Sequence, residues 1–155
     1  MIWETLNPNM ILTDLDAADK NDVFRQLGST AIREGYAKDS YVDALIEREA
    51  NFPTALDIDG FGVAIPHTSV DHVLKPGTGI GVLKNPVTFV QMGTDDEYID
   101  VKLIVMLCVV DPDKHLDELQ RILAILQDKA VLEKLQNTHD KQEVIDIIKE
   151  KESTL

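Results

Sequence analysis

The chain has 155 residues, 44% of them apolar and 28% charged, with a formal net charge of -13 at neutral pH and one cysteine. A chain of this length buries about two-thirds of the surface it would expose when unfolded, so a single domain covering residues 1–155 is expected. The acid excess argues against nucleic acid and anionic membranes as partners, and the lone Cys108 excludes an internal disulfide.

Taken in order, the start Met1-Ile2-Trp3-Glu4 carries no basic segment leading into an apolar run. Asp16 or Asp19 can cap a helix in which Val23, Phe24, Leu27 and Ala31 recur at helical spacing, with Gly35 as its stop. Ser40 and Asp43 form a capping-box pattern opening a second helix, whose apolar face is read as Tyr41, Ala44, Leu45 and Phe52. Beyond Gly60 the period changes: residues 63–65, 80–83, 87–90 and 101–110 read as strands separated by Gly, Pro and Asp. The run from Val101 to Val110 is almost continuously apolar, which suits a central strand, and its core is far too short to span a bilayer. With no disulfide, leader or membrane span in view, a cytoplasmic location is expected.

Asp111-Pro112-Asp113 ends that strand and caps a helix carrying Leu116, Leu119, Ile122, Leu123 and Leu126. Two further helical pieces lie around Val131 to Leu135 and Val144 to Ile148, the second capped by Asp140, and the charged tail from Lys149 is expected to fray. The fold class is α/β (α+β): a mixed parallel and antiparallel sheet flanked by helices in one layered domain.

Chemistry is expected where Gly60-Phe61-Gly62-Val63-Ala64-Ile65-Pro66-His67 ends. Pro66 cannot donate to a ladder, so His67 is presented at a strand end, where an imidazole can act as base, ligand or nucleophile. Arg48 falls on the inward stripe of its helix with no acid three or four residues away. It therefore either meets a distant carboxylate or a bound anion, or snorkels to the helix edge. His115 opens a helix directly after the central strand, where free amides and the positive end of the helix dipole collect anions and favour a neutral ring.

Other features carry less. His72 and His139 lack ligand spacing, and no Cys or His pair suits structural zinc, so no metal or cofactor is expected. Cys108 reads as a small buried hydrophobe, Gly77-Thr78-Gly79-Ile80-Gly81 as a turn rather than a nucleotide loop, and Asp95-Asp96-Glu97 as a solvated hairpin tip.

Arg48-Glu49, Pro53-Thr54, the Gly60 to His67 run ending in Ala-Ile-Pro-His, and His115 together resemble the fructose/mannitol-type enzyme IIA of the bacterial sugar phosphotransferase system, in its galactitol-like subgroup. The resemblance covers almost the whole chain. It implies a phosphotransferase component working through a phosphohistidine. His67 would accept a phosphoryl group at Nε2 from phosphorylated HPr and pass it to a cysteine of a cognate enzyme IIB, with the membrane enzyme IIC engaged only indirectly. Arg48 would hold the phosphoryl oxygens, Thr54 would help from the preceding loop, and His115 would hydrogen-bond near the active ring. Two residues depart from the pattern: Thr68 follows the histidine where a small residue is common, and Asp59 sits where an apolar one is usual. An enzyme IIA-like regulator, whose His67 phosphorylation controls binding to another protein, is the alternative. A metal- or anion-binding module built from His67, His72 and the acids at 95–97 is a third reading.

Overall fold

The computed structural model describes all residues 1–155. Its centre is a five-stranded sheet in the order β1-β4-β5-β3-β2, formed by Leu6–Leu15 (β1), Ala55–Ile58 (β2), Phe61–Ala64 (β3), Gly77–Val90 (β4) and Tyr98–Cys108 (β5). β1 pairs with β4 and β3 with β5 in parallel, whereas β2/β3 and β4/β5 are antiparallel. β5 is the middle strand, as its unbroken apolar run requires. Leu103, Val105, Leu107 and Val109 join one core, while Ile104, Met106 and Cys108 join the other. Strand geometry sends successive side chains to opposite faces, so a strand covered on both sides has no polar positions to spare. Truncating the fully buried Ile104 to alanine should cost about 2–5 kcal/mol.

One face is covered by Lys20–Val23 (α1), a π-helical turn Phe24–Gly28, Ser29–Arg33 (α2) and Tyr41–Asn51 (α3). The other is covered by Pro112–Leu126 (α4), Lys129–Asn137 (α5) and Lys141–Glu152 (α6). The helix starts follow the expected chemistry: Asp19, Asp111 and Asp140 each accept a backbone amide of the first turn.

Several expectations are corrected. Ser40 occupies the N-cap of α3 but makes no cap bond, because its hydroxyl pairs with Nδ1 of His72 at 2.8 Å instead. The inward stripe of α3 is Tyr41, Leu45 and Glu49, with Phe52 exposed past the helix end. Leu116 likewise faces solvent, and α4 buries Ile122, Ile125 and Leu126. The two strands read at 80–83 and 87–90 are one, with a register shift between Val82 and Val87 that accommodates the exposed Pro86.

The glycines at 77–81 are strand residues, not a turn. A Cβ on Gly77 would lie 2.5 Å from the Tyr36 ring, and one on Gly79 would lie 2.8 Å from the Met106 methyl. Gly77 thus makes room for the Tyr36 ring from the loop after α2, and Gly79 for the Met106 side chain of the neighbouring strand β5. The tail does not fray. α6 continues to Glu152, which is 1% exposed and accepts the amides of Ile2 at 3.1 Å and Trp3 at 2.7 Å.

Candidate functional site

The site forms where β3 stops. β2 and β3 are joined through Asp59 and Gly60, both at positive φ (49° and 87°), with Ile58 paired to Phe61. That is the two-residue turn whose twist matches a hairpin, and it explains the polar Asp59. The last ladder pair is Ala55 with Ala64. Ile65 and Pro66 continue the chain as buried residues beyond the ladder, and the Pro66 carbonyl is tied to the Leu107 amide at 3.0 Å. His67 emerges from this double tether.

Its ring is fixed by one bond: Nδ1 lies 2.9 Å from the Ile65 carbonyl oxygen. A carbonyl only accepts, so Nδ1 carries the proton and Nε2 is left with its lone pair. Burial lowers the His67 pKa, and the nearby His115 and Arg48 lower it further, against the opposing pull of the Ile65 carbonyl. The outcome is a neutral imidazole with a bare nitrogen at neutral pH.

Arg48 is carried in by α3, which is pinned to the central strand by the buried Tyr41 hydroxyl donating to the Leu107 carbonyl at 2.8 Å. The guanidinium stacks on Phe52, 4.4 Å from the ring centre, and its buried Nε has no hydrogen-bond partner. Arg48, Thr54 and His67 line one open cavity of about 610 Å³, walled on its far side by Met92, Thr94 and Asp95 of the β4–β5 hairpin. His115, in the first turn of α4, lies beside His67 with ring centres 4.7 Å apart. Its buried Nδ1 is also unpartnered, and burial followed by the Arg48 charge lowers its pKa. Both observations agree with a neutral ring.

Thr54 is turned inward. Its hydroxyl donates to the Glu49 carboxylate at 3.0 Å and accepts the Ile65 amide at 3.2 Å. Glu49 is the residue sequence reasoning passed over, although an acid four residues from Leu45 and eight from Tyr41 on a buried stripe was a visible anomaly.

The remaining candidates lie elsewhere. His139 is exposed and pairs with Asp14 at 2.8 Å, and His72 is held by Ser40. Burial pushes the Cys108 thiol up to about 11, which leaves it a thiol. No group of three or more His, Cys, Asp or Glu side chains is arranged to hold a metal ion.

A mixed-sheet α/β domain thus presents a neutral imidazole beside a guanidinium with no carboxylate partner, in an open cavity at a strand end, an arrangement suited to an anionic group. The comparison with known families agrees: the model of the phosphoenolpyruvate-dependent sugar phosphotransferase system EIIA 2 family matches residues 4–151, and the chain belongs to that family. It is a phosphotransferase component of a sugar phosphotransferase system.

The galactitol-specific EIIA component of Escherichia coli (strain K12) is 29% identical over 125 residues, covering 81% of this chain and 83% of that protein. Among solved structures, Escherichia coli enzyme IIA for mannitol, in its complex with phosphorylated enzyme IIB, superposes with a TM-score of 0.77 at 25% identity, covering 93% and 96% of the two chains. The nitrogen regulatory protein IIA-Ntr of Neisseria meningitidis superposes with a TM-score of 0.78 at 28% identity, covering 95% and 98%.

Proposed function

We propose that His67 is the phosphoryl acceptor of this carrier, reacting at Nε2, with Arg48 as counter-charge and His115 and Thr54 in support. The observation that carries this reading is the Nδ1 bond to Ile65, which leaves Nε2 as the only nucleophilic ring nitrogen, in the cavity that Arg48 lines. In the first step the Nε2 lone pair attacks phosphorus on a phosphohistidine donor, HPr. The new N–P bond forms as the donor's N–P bond breaks, and the donor imidazole leaves. The positive charge that develops on the His67 ring is shared with its Nδ1–H and stabilised by the Ile65 carbonyl. In the second step a cysteine thiolate of an enzyme IIB attacks the same phosphorus and the neutral His67 ring departs. Phosphoryl transfer of this kind asks for alignment and charge stabilisation rather than a strong base. A single guanidinium answers the oxygens without trapping them.

Docking uses the apolar rim of the cavity, where Phe52 and Met92 are exposed. A shallow rim of this kind suits partners that separate after each transfer. No helix is long and apolar enough to cross a membrane, in keeping with a carrier that works in the cytoplasm beside a membrane enzyme IIC. Galactitol or a related polyol is the transported sugar suggested by the galactitol-specific relative.

Incubation with phosphoenolpyruvate, enzyme I and HPr should place an acid-labile phosphate on the chain, and His67→Ala should abolish it. Undiminished labelling of that variant would remove the reading. The likeness to IIA-Ntr supports a second reading, a regulator whose phosphorylation at His67 changes binding to another protein. A panel of enzyme IIB acceptors separates the two, because a regulator transfers to none of them.

A further inference from the structure

Glu49 is 3% exposed on the packed side of α3, and no lysine, arginine or histidine pairs with it within 4.0 Å. A buried carboxylate without a cation needs donors. It takes them from one residue: the Thr54 amide at 2.9 Å and the Thr54 hydroxyl at 3.0 Å from both carboxylate oxygens. The hydroxyl has only one proton to give. With its hydroxyl hydrogen donated to Glu49, the Thr54 oxygen faces the Ile65 amide as an acceptor, and it receives that amide at 3.2 Å.

This contact lies one residue past the last β2–β3 ladder pair, so Thr54 continues β2 with a side chain where its backbone has stopped pairing. Ile65 is thus gripped at both ends, its N–H by Thr54 and its C=O by the His67 Nδ1–H at 2.9 Å. Burial raises the Glu49 pKa, and the two Thr54 bonds and the more distant Lys20 charge pull it back down. In the ionised form the sequence Glu49, Thr54, Ile65, His67 is a single directed chain of donors and acceptors running from a buried carboxylate to the ring.

We propose that Glu49 is a positioning residue for His67, holding the ring in its Nδ1–H form through Thr54 and the Ile65 backbone so that Nε2 stays bare. The carboxylate fixes which way the hydroxyl points, the hydroxyl fixes the Ile65 amide, and the Ile65 carbonyl is thereby aimed at Nδ1. Its consequence for catalysis rests on the reading of His67 as acceptor. The orientation of the ring does not.

The test is long-range ¹H–¹⁵N NMR of the His67 ring in the full chain, at a pH above its titration and with no phosphoryl donor present. The parent protein should show the proton on Nδ1 alone. Glu49→Gln, which keeps the shape but turns an acceptor into a donor, should shift the ring toward a mixture of the two neutral forms, and Thr54→Val should do the same. Thr54→Ser should restore the Nδ1–H form, and the double variant Glu49→Gln/Thr54→Val should add nothing to either single change. Phosphoryl transfer from HPr should fall about ten-fold in each disrupted variant, the scale of one hydrogen bond.

A folded Glu49→Gln chain with the parent ring signature would overturn the proposal. If that variant does not fold, the Thr54 pair decides: equal ring signatures for Val and Ser overturn it, and a shift in Val alone sustains it. Normal labelling of His67 with an insensitive ring refutes only the positioning role. A sensitive ring in a chain that labels elsewhere refutes only the acceptor reading.

Discussion

Glu152 at the end of α6 and Arg48 near the end of α3 are both charged groups drawn into the protein, and they are treated in opposite ways. Glu152 is saturated: it accepts the Ile2 and Trp3 amides and meets Arg121 at 3.4 Å. Arg48 keeps a buried Nε without a partner, and beside it His115 keeps a buried Nδ1 likewise. The first corner spends all its hydrogen-bonding capacity on the fold, tying the amino terminus to the last helix. The second withholds capacity from the fold, which under the proposed reading leaves it for the phosphoryl oxygens.

That contrast can be broken by paired substitutions. Arg48→Met should lower phosphoryl transfer by about 10²–10³-fold, the usual cost of removing one charge-stabilising donor, while costing about 1 kcal/mol or less of stability, because only the stacking on Phe52 and no internal hydrogen bond is lost. Steady transfer assays and urea unfolding on the same preparation would check both halves. Glu152→Ala should behave in reverse. The buried Ile2 amide loses its acceptor at about 1–3 kcal/mol and the part-buried Trp3 amide loses its own at a smaller cost, so the unfolding midpoint should drop clearly while transfer from HPr continues at the parent rate.

His115→Ala should fall between them in transfer, losing about ten-fold, since it removes a neutral neighbour rather than the counter-charge. The smallest effect concerns pH. Because the His67 pKa lies below its ordinary 6.5, the nucleophilic form persists as pH falls through that value, and the labelling rate should decline only at lower pH. The linked stability has the same sign: it is complete above 6.5 and is lost as pH falls through the lowered folded value. A labelling rate that halves at or above pH 6.5 would contradict the burial argument.

The sequence displayed what depends on local rules. The capping aspartates at 111 and 140, the first cap narrowed to Asp16 or Asp19, the apolar central strand read at 101–110 and observed at Tyr98–Cys108, and the Pro66-His67 exit were readable from spacing and residue type. β1 was not, because Asn7, Pro8 and Asn9 interrupt its apolar pattern; only an edge strand tolerates them, and edge position is a property of the whole sheet. β2 was missed although Asp59-Gly60 is a hairpin signal, since four residues are too few to show a period.

The inward position of Arg48 was inferred from a stripe that included Phe52, whereas Phe52 lies outside the helix and serves as a platform for the guanidinium. Glu49 illustrates the deeper difficulty. Its donors come from Thr54, five residues away around a turn, and its effect reaches a histidine eighteen positions along the chain. Such chains of bonds exist only after folding.

The central claim is tested most directly by locating the phosphate. After phosphorylation by phosphoenolpyruvate, enzyme I and HPr, ³¹P and ¹⁵N spectra of the His67 ring should show one N–P bond, at Nε2, with the proton retained on Nδ1. Phosphate at Nδ1, on another residue, or absent altogether under conditions that phosphorylate HPr would contradict it.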